Sequence, residues 1–283
     1  MPQHPFSQVD VFGAHALLGN PVAVVHGADD LDEATMVAFA RWTNLSETTF
    51  LMQPTDPRAD YRLRIFTPGG ELPFAGHPTL GSAHAWLEQG GVPADSDLVV
   101  QECQLGLVQL RREGERLAFR APHLLREGAV DPETLADVVG ALGVAEDRLL
   151  GANWVDNGPG WLGLELAAAQ DVLDLRPDFG ALGGLAVGVI GPHTEADRDE
   201  LGADYEVRAF YADVSGNEDP VTGSLNAGLA LWLTRTGRAP GEFVVRQGTA
   251  LGRDGRVQVS SDEVGDIWVG GACRTLVEGS VRL

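Results

Sequence analysis

The sequence contains no lysine, so all 20 of its basic residues are arginine, against 41 acidic residues and a net charge of −21. Without lysine the chain has no side chain for a Schiff base, a covalently held pyridoxal cofactor or the lysine of a P-loop. The negative charge also argues against nucleic acid as a partner, because most affinity for nucleic acid comes from cationic contacts to phosphate. Lysine-based covalent chemistry is therefore excluded, and a polyanion partner is disfavoured.

Long apolar runs are missing as well. No uninterrupted run approaches the roughly 18 residues that a membrane span needs, and residues 1–10 (MPQHPFSQVD) lack a basic region followed by an apolar core. We therefore expect a soluble, cytoplasmic protein with no membrane partner. Its 283 residues predict one large domain or two smaller ones.

Cysteine and metal-ligand patterns are sparse. The two cysteines, Cys103 and Cys273, form no CxxC pair and have no neighbouring histidine pair, which predicts two buried thiols rather than a disulfide framework or a zinc cluster. His77 and His84 are seven residues apart, which places them on one face of a helix, but no acidic residue gives HExxH spacing. The sequence therefore predicts no metal site.

One glycine pattern resembles a cofactor motif without its context. Residues 158–163 (GPGWLG) fit GxGxxG, but that fingerprint needs a preceding strand and a helix that opens at the glycines. Residues 161–166 alternate like a strand instead. We therefore expect no nicotinamide or flavin at this segment, and no cofactor is predicted for the chain.

The order of elements repeats along the chain. Two segments, 78–89 and 224–233, are predicted helices with almost no charge, and a helix without a polar face must be buried. Each follows an Arg-x-Phe strand, at residues 64–66 and 208–210, and a glycine-containing loop. The repeat predicts two similar units, each a curved β-sheet around one central helix, with a cleft between them for a small ligand.

The loops that open the two helices are the first candidate site. They are residues 71–79 (ELPFAGHPT) and 216–224 (GNEDPVTGS). A helix start presents unpaired N–H groups and a partial positive charge, so it favours a carboxylate or phosphate ligand. Helix capping with turn glycines, and no ligand, is the alternative interpretation. His77 and Asp219 could each be a helix cap rather than a catalytic group.

Glu47 is the second candidate. It lies in residues 45–51 (LSETTFL), which carry little other charge. A carboxyl group in a cleft of low dielectric has a raised pKa and can carry a proton near neutral pH. A solvent-facing glutamate on an ordinary strand is the alternative.

Five segments in this order resemble the phenazine biosynthesis PhzF-like isomerase family. They are residues 9–12 (VDVF), 19–24 (GNPVAV), 45–50 (LSETTF), 66–79 (FTPGGELPFAGHPT) and 216–224 (GNEDPVTGS). The resemblance implies the diaminopimelate epimerase fold, an α+β fold of two pseudo-symmetric domains, each a curved, mostly antiparallel, barrel-like sheet around a buried central helix. The implied domains are residues 1–118 with 268–283, and 119–267, with the active-site cleft between them. A homodimer is also implied.

The same resemblance assigns roles to individual residues. It implies Glu47 as the proton shuttle, His77 and Asp219 as further catalytic residues, and a substrate-binding group consisting of Asn20, Gly76, Gly223 and Ser224. The related epimerases carry a cysteine in each facing loop, whereas this chain has Ala75 and Asp219 there, which excludes two-thiol racemisation.

The expected function is cofactor-independent proton transfer within a small carboxylate-bearing substrate. Two alternatives stay open: a non-thiol racemase or epimerase of an amino-acid-like substrate, and a carboxylate-binding protein without turnover. The sequence does not identify the substrate, and nothing in it specifies the phenazine precursor over another acid.

Overall fold

The computed structural model describes residues 1–114, 116–211 and 218–283 and divides the chain into two compact units. Unit 1 comprises Met1–Arg120 and Gly270–Leu283, and unit 2 comprises Ala121–Val269. The start of the second candidate loop, residues 216–217, lies outside the described residues. Within the described ranges, no helix is long and apolar enough to cross a membrane.

Unit 1 is a sheet with two helices. Its elements are β1 (Gln3–Val11), β2 (Asn20–Val25), α1 (Glu33–Thr43), β3 (Glu47–Met52), β4 (Tyr61–Thr67), β5 (Gly70–Leu72), α2 (Gly76–Glu88), β6 (Leu98–Cys103), β7 (Gly106–Glu113), β8 (Arg116–Arg120) and β18 (Cys273–Arg282). Antiparallel pairs join β18 to β1, β1 to β2 and β3 to β4, whereas β2 and β3 are parallel. Strand β4 then pairs with β5 antiparallel and with β6 parallel, and β6–β7–β8 is an antiparallel meander.

Unit 2 repeats this pattern. Its elements are β9 (Arg126–Gly128), α3 (Pro132–Leu142), β10 (Leu149–Asp156), β11 (Leu162–Leu166), α4 (Ala169–Leu173), β12 (Val187–Pro192), α5 (Glu195–Leu201), β13 (Tyr205–Phe210), β14 (Glu218–Asp219), α6 (Gly223–Arg235), β15 (Glu242–Gln247) and β16 (Gly255–Ser261), with β17 (Ile267–Gly271) reaching the unit boundary. Strands β10 to β13 pair in the same senses as β1 to β4. Strand β13 also pairs antiparallel with β14 and parallel with β15, which continues antiparallel into β16. The predicted α+β fold of two pseudo-symmetric units is confirmed.

Helices α2 and α6 are the central helices of their units. Helix α2 contacts most strands of its own unit, from β18 and β1 to β8. The first eight residues of α2 and of α6 are all buried. Each helix has a glycine at its sixth position where it meets a strand. A Cβ on Gly81 would lie 2.5 Å from Val22 Cγ1, and one on Gly228 would lie 3.1 Å from Val155 Cβ. Glycine at these positions therefore lets each central helix approach its sheet closely.

Several local predictions are confirmed, and others need correction. Strand β11 begins at Leu162, so the glycine pattern before it opens no helix and is not a dinucleotide fingerprint. Helix α1 is capped by Asp32, whose side chain accepts a hydrogen bond from the Thr35 amide. The two cysteines are half-buried rather than fully buried, and burial raises the pKa of both thiols.

Candidate functional site

A bidentate ion pair anchors the loop before each central helix. In unit 1, Arg64 donates from Nε and Nη2 to the two carboxylate oxygens of Glu71, at 2.7 and 2.6 Å. In unit 2, Arg208 binds Glu218 in the same way, at 2.9 and 2.8 Å. Each loop therefore leaves its sheet from a fixed point, because two parallel hydrogen bonds hold both position and orientation.

Unit 1 brings together three of the predicted site residues. Glu47 is the first residue of β3, His77 is the second residue of α2, and Asn20 is the first residue of β2. Nε2 of His77 lies 3.3 Å from Oε2 of Glu47, and the Glu47 side chain is only 12% exposed. Nδ2 of Asn20 lies 3.3 Å from Nδ1 of His77. The glutamate and the loop histidine, 30 positions apart in sequence, are thus in contact.

The contact between His77 and Glu47 involves a neutral imidazole. Burial lowers the pKa of His77 to about 3, and the Pro21 backbone offsets only part of this effect. Nδ1 of His77 lies next to the Asn20 amide nitrogen, whereas Nε2 faces Glu47 at 3.3 Å in a geometry that is not a hydrogen bond. A neutral imidazole places no positive charge beside the Glu47 carboxyl group, so it does not weaken that group as a base.

In unit 2 the corresponding loop is organised by Gln247, which is fully buried. Its Oε1 accepts from the Thr222 amide and from Nδ2 of Asn226, so its Nε2 faces the Asp219 carbonyl and the Thr222 hydroxyl. Because the Thr222 hydroxyl accepts from Gln247, it donates its own proton to Oδ2 of Asp219, at 2.5 Å. This chain of hydrogen bonds fixes Oδ2 of Asp219 as an acceptor.

Ser224 is held by two buried donors. Nε1 of Trp161 donates to Oγ of Ser224 at 3.0 Å, and Nδ2 of Asn157 donates to the Ser224 carbonyl at 2.8 Å. Trp161 and Asn157 are 2% and 3% exposed. Both donors come from the segment after β10, more than sixty positions before Ser224 in the sequence.

Neither central helix has a side-chain cap at its start. Ala75 precedes α2 and has no polar side chain, and the Thr222 side chain makes no capping hydrogen bond to α6. Neither helix carries an acidic residue in its first turn. Gly76 and Gly223 therefore begin their helices without a capping side chain among the described residues, and the partial positive charge of each helix start would favour an anionic ligand.

The two loops correspond position by position, because each has the same number of residues between its strand pairing and its helix start. The stretch from Glu71 to His77 corresponds to that from Glu218 to Ser224, so Ala75 corresponds to Thr222 and Leu72 to Asp219. This differs from the pairing of Ala75 with Asp219 that the resemblance suggested. Neither Ala75 nor Thr222 is a thiol, so the absence of a two-cysteine arrangement is unchanged.

All seven predicted site residues lie at strand starts, strand ends or helix starts of their units. Unit 1 holds Glu47, His77, Asn20 and Gly76, and unit 2 holds Asp219, Gly223 and Ser224. Trp161, Asn157, Gln247 and Thr222 were not predicted from the sequence. The internal repeat gives no signal for Trp161, because strand register matches it with Val22 of β2. In the described ranges no cluster of three or more His, Cys, Asp or Glu side chains could hold a metal ion.

The fold defines an α+β protein of the diaminopimelate epimerase type, with two pseudo-symmetric units. Comparison with solved structures agrees. A crystal structure of a phenazine biosynthesis protein of the PhzF family from Enterococcus faecalis matches with a TM-score of 0.79 and 27% identity, over 100% of both chains.

Sequence comparisons place the chain within a family. The profile of the family described as phenazine biosynthesis-like protein matches residues 9–279. The chain is 38% identical to antisense-enhancing sequence 1 of Schizosaccharomyces pombe, over 99% of both chains. It is 34% identical to trans-2,3-dihydro-3-hydroxyanthranilate isomerase of Pseudomonas aeruginosa, over 93% of this chain and 92% of the relative. The chain belongs to the phenazine biosynthesis-like family and is a PhzF-like isomerase.

Proposed function

We propose that the protein moves a proton from one carbon to another within a small unsaturated acid, with Glu47 as the proton carrier and no cofactor. The observation that carries this proposal is the 3.3 Å contact between Glu47 and a neutral His77. The Glu47 carboxylate would accept the proton from the substrate carbon as that C–H bond breaks and the double bond shifts. The same carboxyl group would then return the proton to the second carbon, so the product is an isomer of the substrate.

The environment of Glu47 suits both halves of this cycle. Before transfer the negative charge would lie on the Glu47 carboxylate, beside a neutral His77. After transfer Glu47 and His77 would both be neutral, and the negative charge would be delocalised over the substrate until the proton returns to the second carbon. A cationic histidine would instead lower the pKa of the carboxyl and weaken it as a base.

The substrate carboxylate would be held at the helix starts. The Gly76 and Gly223 amides supply donors there, and the Ser224 hydroxyl lies in the same first turn of α6 as Gly223. Asn20 would act through His77, to which it donates. We also propose that the groups of both units serve one substrate and that the protein is a cytoplasmic homodimer.

The names of the relatives support the choice of substrate class. One relative is named for isomerising trans-2,3-dihydro-3-hydroxyanthranilate, a cyclic unsaturated acid. We therefore place that compound first in a panel of cyclic and linear unsaturated acids. Acids that keep the carboxylate and one double bond, but differ in ring substituents, complete the panel.

Deuterium uptake from solvent tests the proposal. Protein dialysed against a chelator is incubated with each acid in D₂O, and the acid is analysed by mass spectrometry and NMR. Glu47→Gln should bind the acid nearly as well as the wild type but lower turnover by about 10²-fold or more, because an amide cannot carry the proton. His77→Asn should also lower turnover.

His84→Asn is the matched control for His77→Asn. His84 lies on the same helix, but it contacts Glu88 and not Glu47, so its replacement should leave turnover unchanged. If Glu47→Gln incorporates deuterium at the wild-type rate, Glu47 is not the proton carrier. Loss of activity on dialysis, restored by one divalent ion, would contradict the cofactor-free mechanism.

The buried Asp219 favours a second candidate, an epimerase. Its Oδ2 is fixed as an acceptor by Thr222, so the residue has the character of a second base. An epimerase would incorporate deuterium at a single carbon and invert its configuration, without moving a double bond. Chiral chromatography of amino-acid-like substrates separates the two reactions.

A further inference from the structure

The hydroxyl of Ser224 has a defined hydrogen-bond direction. The indole Nε1–H of Trp161 can only donate, so Oγ of Ser224 accepts at this 3.0 Å contact. A serine hydroxyl has one proton, and the part of the chain that the structure describes gives Oγ no acceptor for it. The proton of Ser224 is therefore left for a ligand, although the residue is only 6% exposed.

The rest of the residue is held as well. Asn157 donates to the Ser224 carbonyl, and Trp161 stacks at a tilt against Tyr211, with ring centroids 5.7 Å apart. The donor, the hydroxyl and the helix start are thus fixed relative to one another within unit 2. Such a hydroxyl needs little reorganisation when a ligand binds.

Unit 1 also has a polar contact at the second position of its central helix, where Nδ2 of Asn20 lies 3.3 Å from Nδ1 of His77. The two contacts are not equivalent in strand register. The register Phe66–Thr48–Ala23 corresponds to Phe210–Val187–Leu162. Trp161 therefore corresponds to Val22, and its hydrogen bond to Ser224 is specific to unit 2.

We propose that Trp161 is a positioning residue, which fixes Ser224 as a hydrogen-bond donor and so makes this helix start selective for a carboxylate oxygen. The inference rests on the proposed function, since it names the group that Ser224 would recognise. The partial positive charge of the helix start acts in the same direction, because it disfavours an ammonium group. Trp161 itself does not need to touch the substrate.

A double-mutant cycle tests this role. Trp161→Phe removes the N–H and keeps an aromatic ring, so it should weaken binding of the carboxylate substrate about fivefold, the usual worth of one hydrogen bond, with little change in kcat. Ser224→Ala should weaken binding by at least as much. In the Ser224→Ala background Trp161→Phe should have no further effect, because the hydroxyl that it orients is gone.

Trp154→Phe is the matched control. Trp154 is a buried tryptophan of the hydrophobic core of the same unit, so its replacement tests the general cost of exchanging a buried indole. It should lower the midpoint of thermal unfolding without raising KM. If Trp161→Phe weakens binding equally with and without Ser224, its role is packing and the inference is overturned while the proposed function stands.

Indole NMR decides the question where the Trp161 variant does not fold. In wild-type protein labelled with ¹⁵N-tryptophan, titration with the acid should shift one indole N–H resonance. Ser224→Ala should move that resonance before any acid is added and abolish its response. A wild-type spectrum with no responding indole, recorded while the acid binds and exchanges deuterium, overturns the inference alone. A wild-type protein that neither binds nor turns over any acid overturns the proposed function and the inference with it.

Discussion

Glu206 is a buried carboxyl group outside the candidate site, and its replacement gives a quantitative test of the electrostatics of unit 2. The residue is 0% exposed, and burial raises its pKa from 4.5 to about 7. The Thr249 hydroxyl, Arg246 and Arg256 oppose this shift, and Asp254 adds to it. Nε2 of His193 lies 3.4 Å from Oε2 of Glu206, and burial lowers the pKa of His193, so burial disfavours the charged form of both groups.

The sign of the effect follows from the raised pKa. Below pH 4.5 Glu206 is protonated in both the folded and the unfolded chain, so its ionisation does not lower the free energy of unfolding. Between pH 4.5 and 7 only the unfolded chain ionises, so the free energy of unfolding falls as pH rises, and the loss is complete above pH 7. A shift of about 2.5 pKa units corresponds to about 3 kcal/mol, of which about 2 kcal/mol appears between pH 5.5 and 8.5.

Glu206→Gln removes this titration and keeps the size of the side chain. Its free energy of unfolding, relative to that of the wild type, should rise by about 2 kcal/mol from pH 5.5 to 8.5. Urea unfolding at constant ionic strength measures it, in a range that avoids the isoelectric point near 4.5. Glu242→Gln, at an exposed position at the start of β15, should show no such trend. A difference that stays constant with pH, or that falls, refutes the assignment of Glu206 as a neutral buried acid.

Two further predictions concern the framework around the central helices. Gly81→Ala should lower the free energy of unfolding by about 1–3 kcal/mol, because the new Cβ would clash with Val22. Gly140→Ala on helix α3 should raise it by up to about 1 kcal/mol, because a Cβ there meets nothing within 4 Å. Urea unfolding measures both variants. Arg208→Met should lower the free energy of unfolding by about 3–5 kcal/mol, because it leaves Glu218 as a buried unpaired charge. Arg64→Met should lower it by only about 1 kcal/mol, because the side chains of Arg64 and Glu71 are each about a quarter exposed. Equal losses for the two arginine variants would contradict the difference in burial.

The parts of the fold with local signals could be predicted from the sequence. An apolar helix with no polar face must be buried, so both central helices were predicted within two residues of their observed N-terminal ends. The predicted Arg-x-Phe strands at residues 64–66 and 208–210 are the ends of β4 (Tyr61–Thr67) and β13 (Tyr205–Phe210). The loop residues His77 and Asp219 were found because a helix start after a polar loop is recognisable in sequence.

The groups that orient these residues could not be predicted. Gln247 acts on Thr222 from 25 positions away, and Trp161 acts on Ser224 from 63 positions away. No periodicity or spacing rule connects such pairs, since their contact depends on strand pairing across the whole unit. Trp161 also lies within the glycine pattern that the sequence analysis set aside, so its indole was considered only as part of a strand.

The duplication itself separates framework from function. Three features recur in both units and belong to a shared scaffold. They are the Arg–Glu pair, the close-packed glycine of the central helix, and the parallel strand that follows that helix in the chain. Function should lie where equivalent positions differ, as at His77 against Ser224 and at Leu72 against Asp219. Unit 1 there carries a neutral imidazole beside a base, while unit 2 carries a hydroxyl fixed as a donor and a carboxylate oxygen fixed as an acceptor. Under the proposed function, Glu47 and His77 of unit 1 would transfer the proton, and Ser224 of unit 2 would donate to the substrate's carboxylate.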